Sequence, residues 1–478
     1  MEKYDVIVVG AGPSGIFLCY ELKRKKPCLK ILLIDQGRPV EKRMCPVANG
    51  KECVKCQPFC HITNGFSGAG AFLDGKLSLV NDNDEDIYVG GKIHEYLGVK
   101  QTKELIHYTD NIYLNFGAEK KVEGVDFLDE VEAYKQKAKK YDVNLISVPI
   151  RHLGTEKAHK LYKMMQDELI ALGVDLMLET EVIDIILKDN VIKGVTVKSH
   201  KKPKDNTLAE DIYAKVVVLG VGRKGANWLK DMCLKHNIKD KAGIVDIGIR
   251  YELKDEVMQD INRIMYEAKF VSRLKPYEDR VRTFCQNPSG FVSSEVYDDG
   301  LTLVNGHSYK NKKSCNTNLA ILCSHHFSVP FDQPILYGRN IAKNSNLLAN
   351  GQVLVQRLGD ILTGHRTHEY WLNKNSVEPT LKTAVAGDVT QALGYRTVTN
   401  ILEFIKTLDN IVPGFASSDN LLYSPEIKFY SNELVISDEF ETSVSGLYSI
   451  GDAGGLTRGL MQASVSGVHL AHVLANKL

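Results

Sequence analysis

The segment that most constrains this chain is Gly10-Ala11-Gly12-Pro13-Ser14-Gly15, which follows the apolar run Tyr4 to Val9 and opens a helical pattern from Ser14 to Arg24. The spacing fits G-x-G-x-x-G. The first glycine permits a tight turn, the second lets backbone approach a pyrophosphate, and the third allows the helix to pack closely on the strand. Free N–H groups at the helix start then face the phosphates. Lys30 to Ile34 reads as the next buried strand, and Asp35 ends it twenty residues after Gly15, where a carboxylate can accept from ribose hydroxyls. The start of the chain is therefore expected to be a βαβ unit that cradles a dinucleotide.

Further along, Glu156 to Leu172 has helical spacing, and Val174 to Leu178, Glu181 to Ile186, Val191 to Val197 and Ala214 to Leu219 read as strands. A second glycine pattern, Gly220-Val221-Gly222-Arg223-Lys224-Gly225, follows the last of them. It could mark a nicotinamide site, or the strand by which the chain returns to its first domain after a small meander. No strand-helix-strand unit with an acid or arginine in register follows Gly225, which favours the return strand. From Val245 to Phe327 the texture is β-rich, with turns at Asn287-Pro288-Ser289-Gly290 and Asp298-Asp299-Gly300, so an antiparallel meander is expected. Helical patterns resume at Gln352 to Leu362 and Thr397 to Leu408. No repeat or Gly/Ser linker separates these blocks, which points to interleaved domains.

With 60 basic and 59 acidic residues the chain has no charge excess of the kind a nucleic-acid binder carries. Its longest apolar stretch, Val6 to Tyr20, is interrupted by glycine, proline and serine, so no membrane insertion is expected, and the absence of a secretory signal pattern points to the cytoplasm. Ten cysteines are too few for a disulfide scaffold, yet Cys45, Cys53, Cys56 and Cys60 fall within sixteen residues. Four thiolates on one loop can hold an iron–sulfur cluster or a tetrahedral zinc, with His61 as a substitute ligand, or can remain free thiols or a redox disulfide.

Near the other end, Gly446-Leu447-Tyr448-Ser449-Ile450-Gly451-Asp452-Ala453-Gly454-Gly455 is a strand running into a Gly-Asp turn, followed by a small-residue-rich helix from Gly459. Here the sequence resembles the flavoprotein superfamily of glutathione reductase and the aromatic hydroxylases. The resemblance implies FAD as cofactor, Asp452 as acceptor from the ribityl chain, and Gly459 and Leu460 at a helix start that points N–H groups at the flavin ring. Aromatic hydroxylases carry an Asp-Gly pair where this chain has Val221-Gly222, so hydroxylation is not favoured.

The blocks Gly65-Phe66-Ser67-Gly68-Ala69-Gly70-Ala71-Phe72-Leu73-Asp74-Gly75-Lys76-Leu77, Tyr423-Ser424-Pro425-Glu426-Ile427-Lys428-Phe429-Tyr430 and Thr457-Arg458-Gly459-Leu460-Met461-Gln462-Ala463 are most similar to a bacterial and archaeal family of FAD-dependent dehydrogenases. This implies an α/β fold in which a Rossmann-like FAD-binding domain of glutathione-reductase type (1–90, 150–235 and 415–478) is interleaved with a β-rich α+β substrate or cap domain (91–149 and 236–414). It places Gly70 and Ala71 beside the flavin ring and adds Gln36, Arg43, Val182, Gly220 and Gly222 to the cofactor-binding set.

The implied activity is two-electron exchange between flavin and a small organic substrate, with reduction of an activated C=C bond as the preferred subclass and NADH or NADPH as a transient donor. The alternative is a flavin electron-transfer or redox-sensing protein that uses the cysteine cluster and a redox protein partner. His307 and Arg458 are the expected catalytic groups, since hydride chemistry needs a proton partner for the substrate. Arg282, His325, His326, Arg357 and Arg366 are further substrate-side candidates.

Overall fold

The computed structural model describes residues 3–45, 54, 56–68, 75–80, 91–153, 155–200, 209–222, 225–241, 243–265, 267–296, 300–308, 312–327, 330–331, 333–429 and 433–478. In chain order the elements used below begin with β1 (Tyr4–Val9), α1 (Pro13–Lys25), β2 (Ile31–Asp35), α2 (Val99–Asn115), β3 (Val143–Ser147), β4 (Val174–Leu178), β5 (Thr180–Lys188), β6 (Val191–Ser199) and β7 (Glu210–Leu219). They continue with β8 (Val245–Lys254), β9 (Ala268–Ser272), β10 (Val281–Asn287), β11 (Phe291–Val296), β12 (Thr302–His307), β13 (Asn316–His325) and α3 (Pro334–Leu348). The last are β14 (Leu354–Arg357), β15 (Val385–Ala386), α4 (Tyr395–Asp409), β16 (Leu421–Phe429), β17 (Leu447–Ser449) and α5 (Leu460–Lys477). Among the described residues no helix is long and apolar enough to cross a membrane.

The chain divides into two compact units, one made of Met1–Val122, Val148–Gly243 and Ser431–Leu478, the other of Glu123–Ser147 and Ile244–Tyr430. The sequence expectation instead groups residues 91–122, 148–149 and 236–243 with the second unit and 415–430 with the first. Residues 91–122 go with the first unit because Tyr113 on α2 hydrogen-bonds Ser464 on α5 (2.8 Å) and Gly91 bridges to Thr457. Residues 415–430 go with the second because β16 pairs with β8 and β14 there.

In the first unit a seven-stranded sheet runs β4-β2-β1-β7-β6-β5, with β17 also paired to β7. Apolar β1 is parallel to β2 on one side and β7 on the other, and Val6, Ile7 and Val8 are fully buried. A strand covered on both faces has to be a near-continuous apolar run, as this one is. β7 changes partner along its length. Its first residues pair antiparallel with β6 in a small meander, and its second half pairs parallel with β1 and β17. Gly220 therefore ends a strand that returns from the meander to the parallel sheet.

In the second unit eight strands run β15-β14-β16-β8-β13-β10-β9-β3. The sequence predicts a meander here, but β8 lies between β13 and β16, and β11 with β12 forms a separate hairpin. The helix predicted over Gln352 to Leu362 is instead β14 followed by one short helical turn, because Leu354–Arg357 pairs with β16. Tertiary pairing overrides local pattern in such short apolar segments.

Strand β8 shows what the two sheet faces carry. Val245, Ile247, Ile249, Tyr251 and Leu253 join the main apolar core, which includes Phe404 and Leu408 of α4. The alternate residues Asp246, Arg250 and Glu252 project from the other face, and they too are fully buried. That face is held by polar pairing: Arg250 forms a two-pronged ion pair with Glu426 at 2.7 and 2.8 Å.

Candidate functional site

Three turns leave the C-terminal ends of adjacent parallel strands in the first unit. Val9 of β1 and Ser449 of β17 both stand opposite Leu219 of β7, so Gly10, Gly220 and Gly451 emerge side by side. Backbone bonds bind them together: Gly10 N donates to Ile34 O (2.7 Å), Gly220 N to Val9 O (2.8 Å) and Ile450 N to Leu219 O (3.0 Å). Ligands of open α/β sheets bind in the crevice outside such strand ends.

The glycines of the first turn have separable tasks. Gly10 has φ +107°, and a Cβ there would stand 2.5 Å from Gly220 O. A Cβ on Gly15 would stand 2.2 Å from Gly10 O, where helix meets turn. Gly12 is different: its φ of −77° suits any residue, and a Cβ there would meet nothing within 4 Å. The open side of the turn at Gly12 thus leaves room for a large ligand to touch backbone, as a pyrophosphate requires. Pro13 occupies the first helical turn of α1, where its missing N–H costs nothing, and Ser14 is buried between the turns, its Oγ only 2.7 Å from where a Cβ on Gly451 would lie. Asp35 accepts from Ala11 N (2.9 Å) and Gly37 N (2.8 Å), so its carboxylate also fixes the shape of the turn. Gly222 resembles Gly12 in that a Cβ there would meet nothing within 4 Å. Val182 packs in the apolar cluster that contains Val9 and Ile34.

A loop folds over this turn. Ser67 N donates to Ala11 O (2.8 Å), and a Cβ on Gly68 would lie 3.4 Å from Gly12 Cα. Ser67 holds φ +79°, an unfavourable conformation for a side-chain-bearing residue that persists only under strong restraint. Arg43 supplies that restraint. Buried to 2% exposure, it donates Nε to His61 O, Nη1 to Phe66 O and Ser67 Oγ, and Nη2 to Ile62 O and Gly68 O. Those five bonds take up all five of its N–H groups. Arg43 therefore shapes the dinucleotide turn through the loop that folds over it. Burial lowers its pKa to about 10, against the opposing pull of Asp35 and Cys60. Gln36 Nε2 donates to Asn64 Oδ1 (2.5 Å) in the same loop. Gly70 and Ala71 lie outside the described residues.

At the C-terminal turn, Thr457 Oγ1 donates to Asp452 Oδ1 at 2.9 Å, and Gly451 N donates to Ser466 Oγ at 3.0 Å. Gly459, with φ +128°, leads into α5, and Arg458 and Leu460 beside it are half-buried. Gln462, in the first turn of α5 and 1% exposed, has no hydrogen-bond partner for either atom of its amide among the described residues. An orphaned buried amide is costly, and a polar ligand at this helix start would relieve it. The open side of Gly12 and this amide are the two observations by which the site fits FAD. Thr457 and Gln462 carry no role in the sequence reading, although both fall in its C-terminal block; polar residues at the mouth of an otherwise apolar helix were the available signal.

Of the cluster cysteines, Cys45 and Cys56 are free thiols, and Cys53 lies outside the described residues. Among the described residues no three His, Cys, Asp or Glu side chains gather as a metal site would require.

The substrate-side candidates are dispersed in the second unit. His307 is exposed at the end of β12, and His326 is exposed beyond β13. His325 shares a hydrogen bond with Thr397 (3.1 Å), and burial lowers its pKa. Arg357 is bound to Asp419 (2.8 Å) and Asn375 (2.8 Å). Arg366 donates to Ala386 O, whereas Arg282 donates to the buried Asp246 at 2.7 Å.

A family model described as "FAD-dependent protein, C-terminal domain-like" matches residues 246–428. No curated protein matches the chain. Among solved structures, an E. coli quinol fumarate reductase is similar at 11% identity and a TM-score of 0.41, over 99% of this chain and 70% of that one. Glycine oxidase from Bacillus cereus has 11% identity and a TM-score of 0.37, over 100% and 96%. L-proline dehydrogenase from P. horikoshii has 12% identity and a TM-score of 0.39, over 100% and 94%. The description of the matched family, an FAD-dependent protein, and the dinucleotide turn of the first unit point to the same cofactor, and the distant likenesses carry no argument. The matched stretch falls inside the second unit, and the dinucleotide turn belongs wholly to the first.

Proposed function

We propose that this chain binds FAD in its first unit and exchanges two electrons between that flavin and a small organic substrate, with an activated C=C bond as the preferred acceptor on family resemblance and NADH or NADPH as donor. The observation that carries the reading is the contrast among Gly10, Gly12 and Gly15: two are packed against backbone, and the one between them is left open. When bound, FAD supplies the hydride chemistry itself.

The protein's share is binding, orientation and charge. Backbone N–H groups at the start of α1 hold the pyrophosphate. Asp35 keeps the turn in shape and retains lone pairs for a ribose hydroxyl. Asp452, held on one oxygen by Thr457, accepts from the ribityl chain. The start of α5 places partial positive charge and the Gln462 amide where negative charge on a reduced ring would be favoured. Arg458, in the same turn as Asp452, is the better placed of the two proton-partner candidates.

The test is direct. Purified protein should be yellow, release FAD on denaturation, and lose its flavin absorbance on anaerobic addition of NADH or NADPH. Protein that is colourless and takes up no added FAD overturns the reading.

A further inference from the structure

Within the first unit three buried hydroxyls lead to the start of α5. Tyr162, on the helix Thr155–Ala171, lies 3.2 Å from Tyr113 of α2, oxygen to oxygen, and Tyr113 lies 2.8 Å from Ser464 Oγ. Ser464 Oγ in turn meets Leu460 O at 2.9 Å. All three side chains are fully buried, and the ring of Phe17 on α1 packs on Tyr113 with the centroids 4.7 Å apart.

The last member of this chain fixes its direction. A carbonyl can only accept, so Ser464 gives its single proton to Leu460 O. Ser464 therefore accepts from Tyr113, and Tyr113, its own proton committed, accepts from Tyr162. Burial pushes the Tyr113 phenol up to about 12 and holds that of Tyr162 well above the ordinary tyrosine range, so both remain protonated donors.

What the chain reaches is one particular peptide group. The Leu460 carbonyl and the Met461 N–H share an amide plane. The backbone ladder of α5 begins with Ala463 N on Gly459 O (3.1 Å), so the N–H of Met461, with those of Leu460 and Gln462, lies ahead of it at the helix mouth. Hydrogen bonds in series polarise one another, by about 10–30% per bond. Each donor lined up behind the Leu460 carbonyl therefore makes the Met461 N–H more positive. At 3.6 residues per turn Ser464 stands about 200° around the helix from Gln462, so the chain meets α5 on the side away from the unpartnered Gln462 amide and does not compete with it for a ligand.

We propose that Tyr162, Tyr113 and Ser464 form a one-way relay that strengthens Met461 N–H as a donor to the reduced flavin and so raises the reduction potential of the bound cofactor. The three act through the Leu460–Met461 peptide, as positioning residues. The proposal rests on the reading that the flavin ring lies at the start of α5.

Anaerobic titration of the full-length, FAD-loaded protein against a reference dye of known potential tests it, in the wild type and in Ser464→Ala, Tyr113→Phe and Tyr162→Phe. Tyr113→Phe should lower the preference for reduced over oxidised flavin about threefold, which is about 15 mV for two electrons. Ser464→Ala should lower it at least as far, and Tyr162→Phe by less, since that hydroxyl stands one bond further from the carbonyl. Hydroxyls that only packed the core would lower the urea midpoint of the same samples and leave the potential where it was. An unchanged or raised potential in Tyr113→Phe, or a larger shift in Tyr162→Phe than in Ser464→Ala, overturns the relay. Should Tyr113→Phe fail to fold, the potentials of the other two variants against the wild type decide. Yellow protein with unmoved potentials fails the relay alone, whereas colourless protein that takes up no added FAD fails the flavin reading and the relay with it.

Discussion

The hydroxyl of Thr457 donates to Oδ1 of Asp452 across 2.9 Å, and Thr457 is itself pinned by a backbone bridge to Gly91. The side chain proposed to hold the ribityl chain is thereby given one rotamer before any cofactor arrives. Thr457→Val should weaken FAD binding about tenfold, and Thr457→Ser should restore most of it. Equilibrium titration of the apoprotein with FAD, followed by flavin fluorescence, measures both.

Gly12 and Gly15 should fail in different ways. Gly12→Val adds a side chain into open space at a φ that any residue adopts, so the fold should persist while FAD retention is lost. Gly15→Ala forces a Cβ against Gly10 O and should cost about 1–3 kcal/mol of stability. Flavin absorbance per protein, compared with the urea midpoint, separates the two.

Arg250 and Glu426 are both fully buried, so removing one partner strands the other. Arg250→Met should destabilise the protein by about 3–5 kcal/mol, and the double variant Arg250→Met/Glu426→Leu should recover much of that loss. Urea unfolding of the two single variants and the double variant completes the cycle.

His325 is held more acidic than the ordinary histidine value of about 6.5 chiefly by burial, with Asp279 and Asp246 pulling the other way. Its neutral form is favoured in the native state, so on acidification the unfolded chain takes up this proton first. Stability should fall as pH drops below about 6.5, the loss growing until the native-state histidine also titrates. His325→Gln should flatten that part of the profile of urea midpoint against pH.

The sequence makes the cofactor turn legible because its determinants are local: an apolar strand, three glycines at fixed spacing, a helix and an acid at a strand end. The alternation in β8 likewise shows that its two faces differ. What neighbours those faces acquire is another matter. Lys428, Asp246 and Ser324 sit far apart along the chain and become a row only through strand pairing. Arg43 has the same history: its bonds to residues 61–68, which fix the loop over the turn, are not legible from its position in the sequence. The unit boundaries were hidden for a similar reason, since the bond from Tyr113 to Ser464 joins helices that no local pattern connects.

Helix α5 seats directly on α1, so closely that a Cβ on Gly467 would lie 2.2 Å from Ser14 O. A ribosome makes the glycine turn at residues 10–15 several hundred residues before the helix that closes over its back. A nascent chain therefore carries an unfinished nucleotide cradle until α5 has been made, so flavin loading should follow the synthesis of α5. In cells short of FAD, the apoprotein should accumulate as a full-length species ready to be charged, and not as truncated fragments.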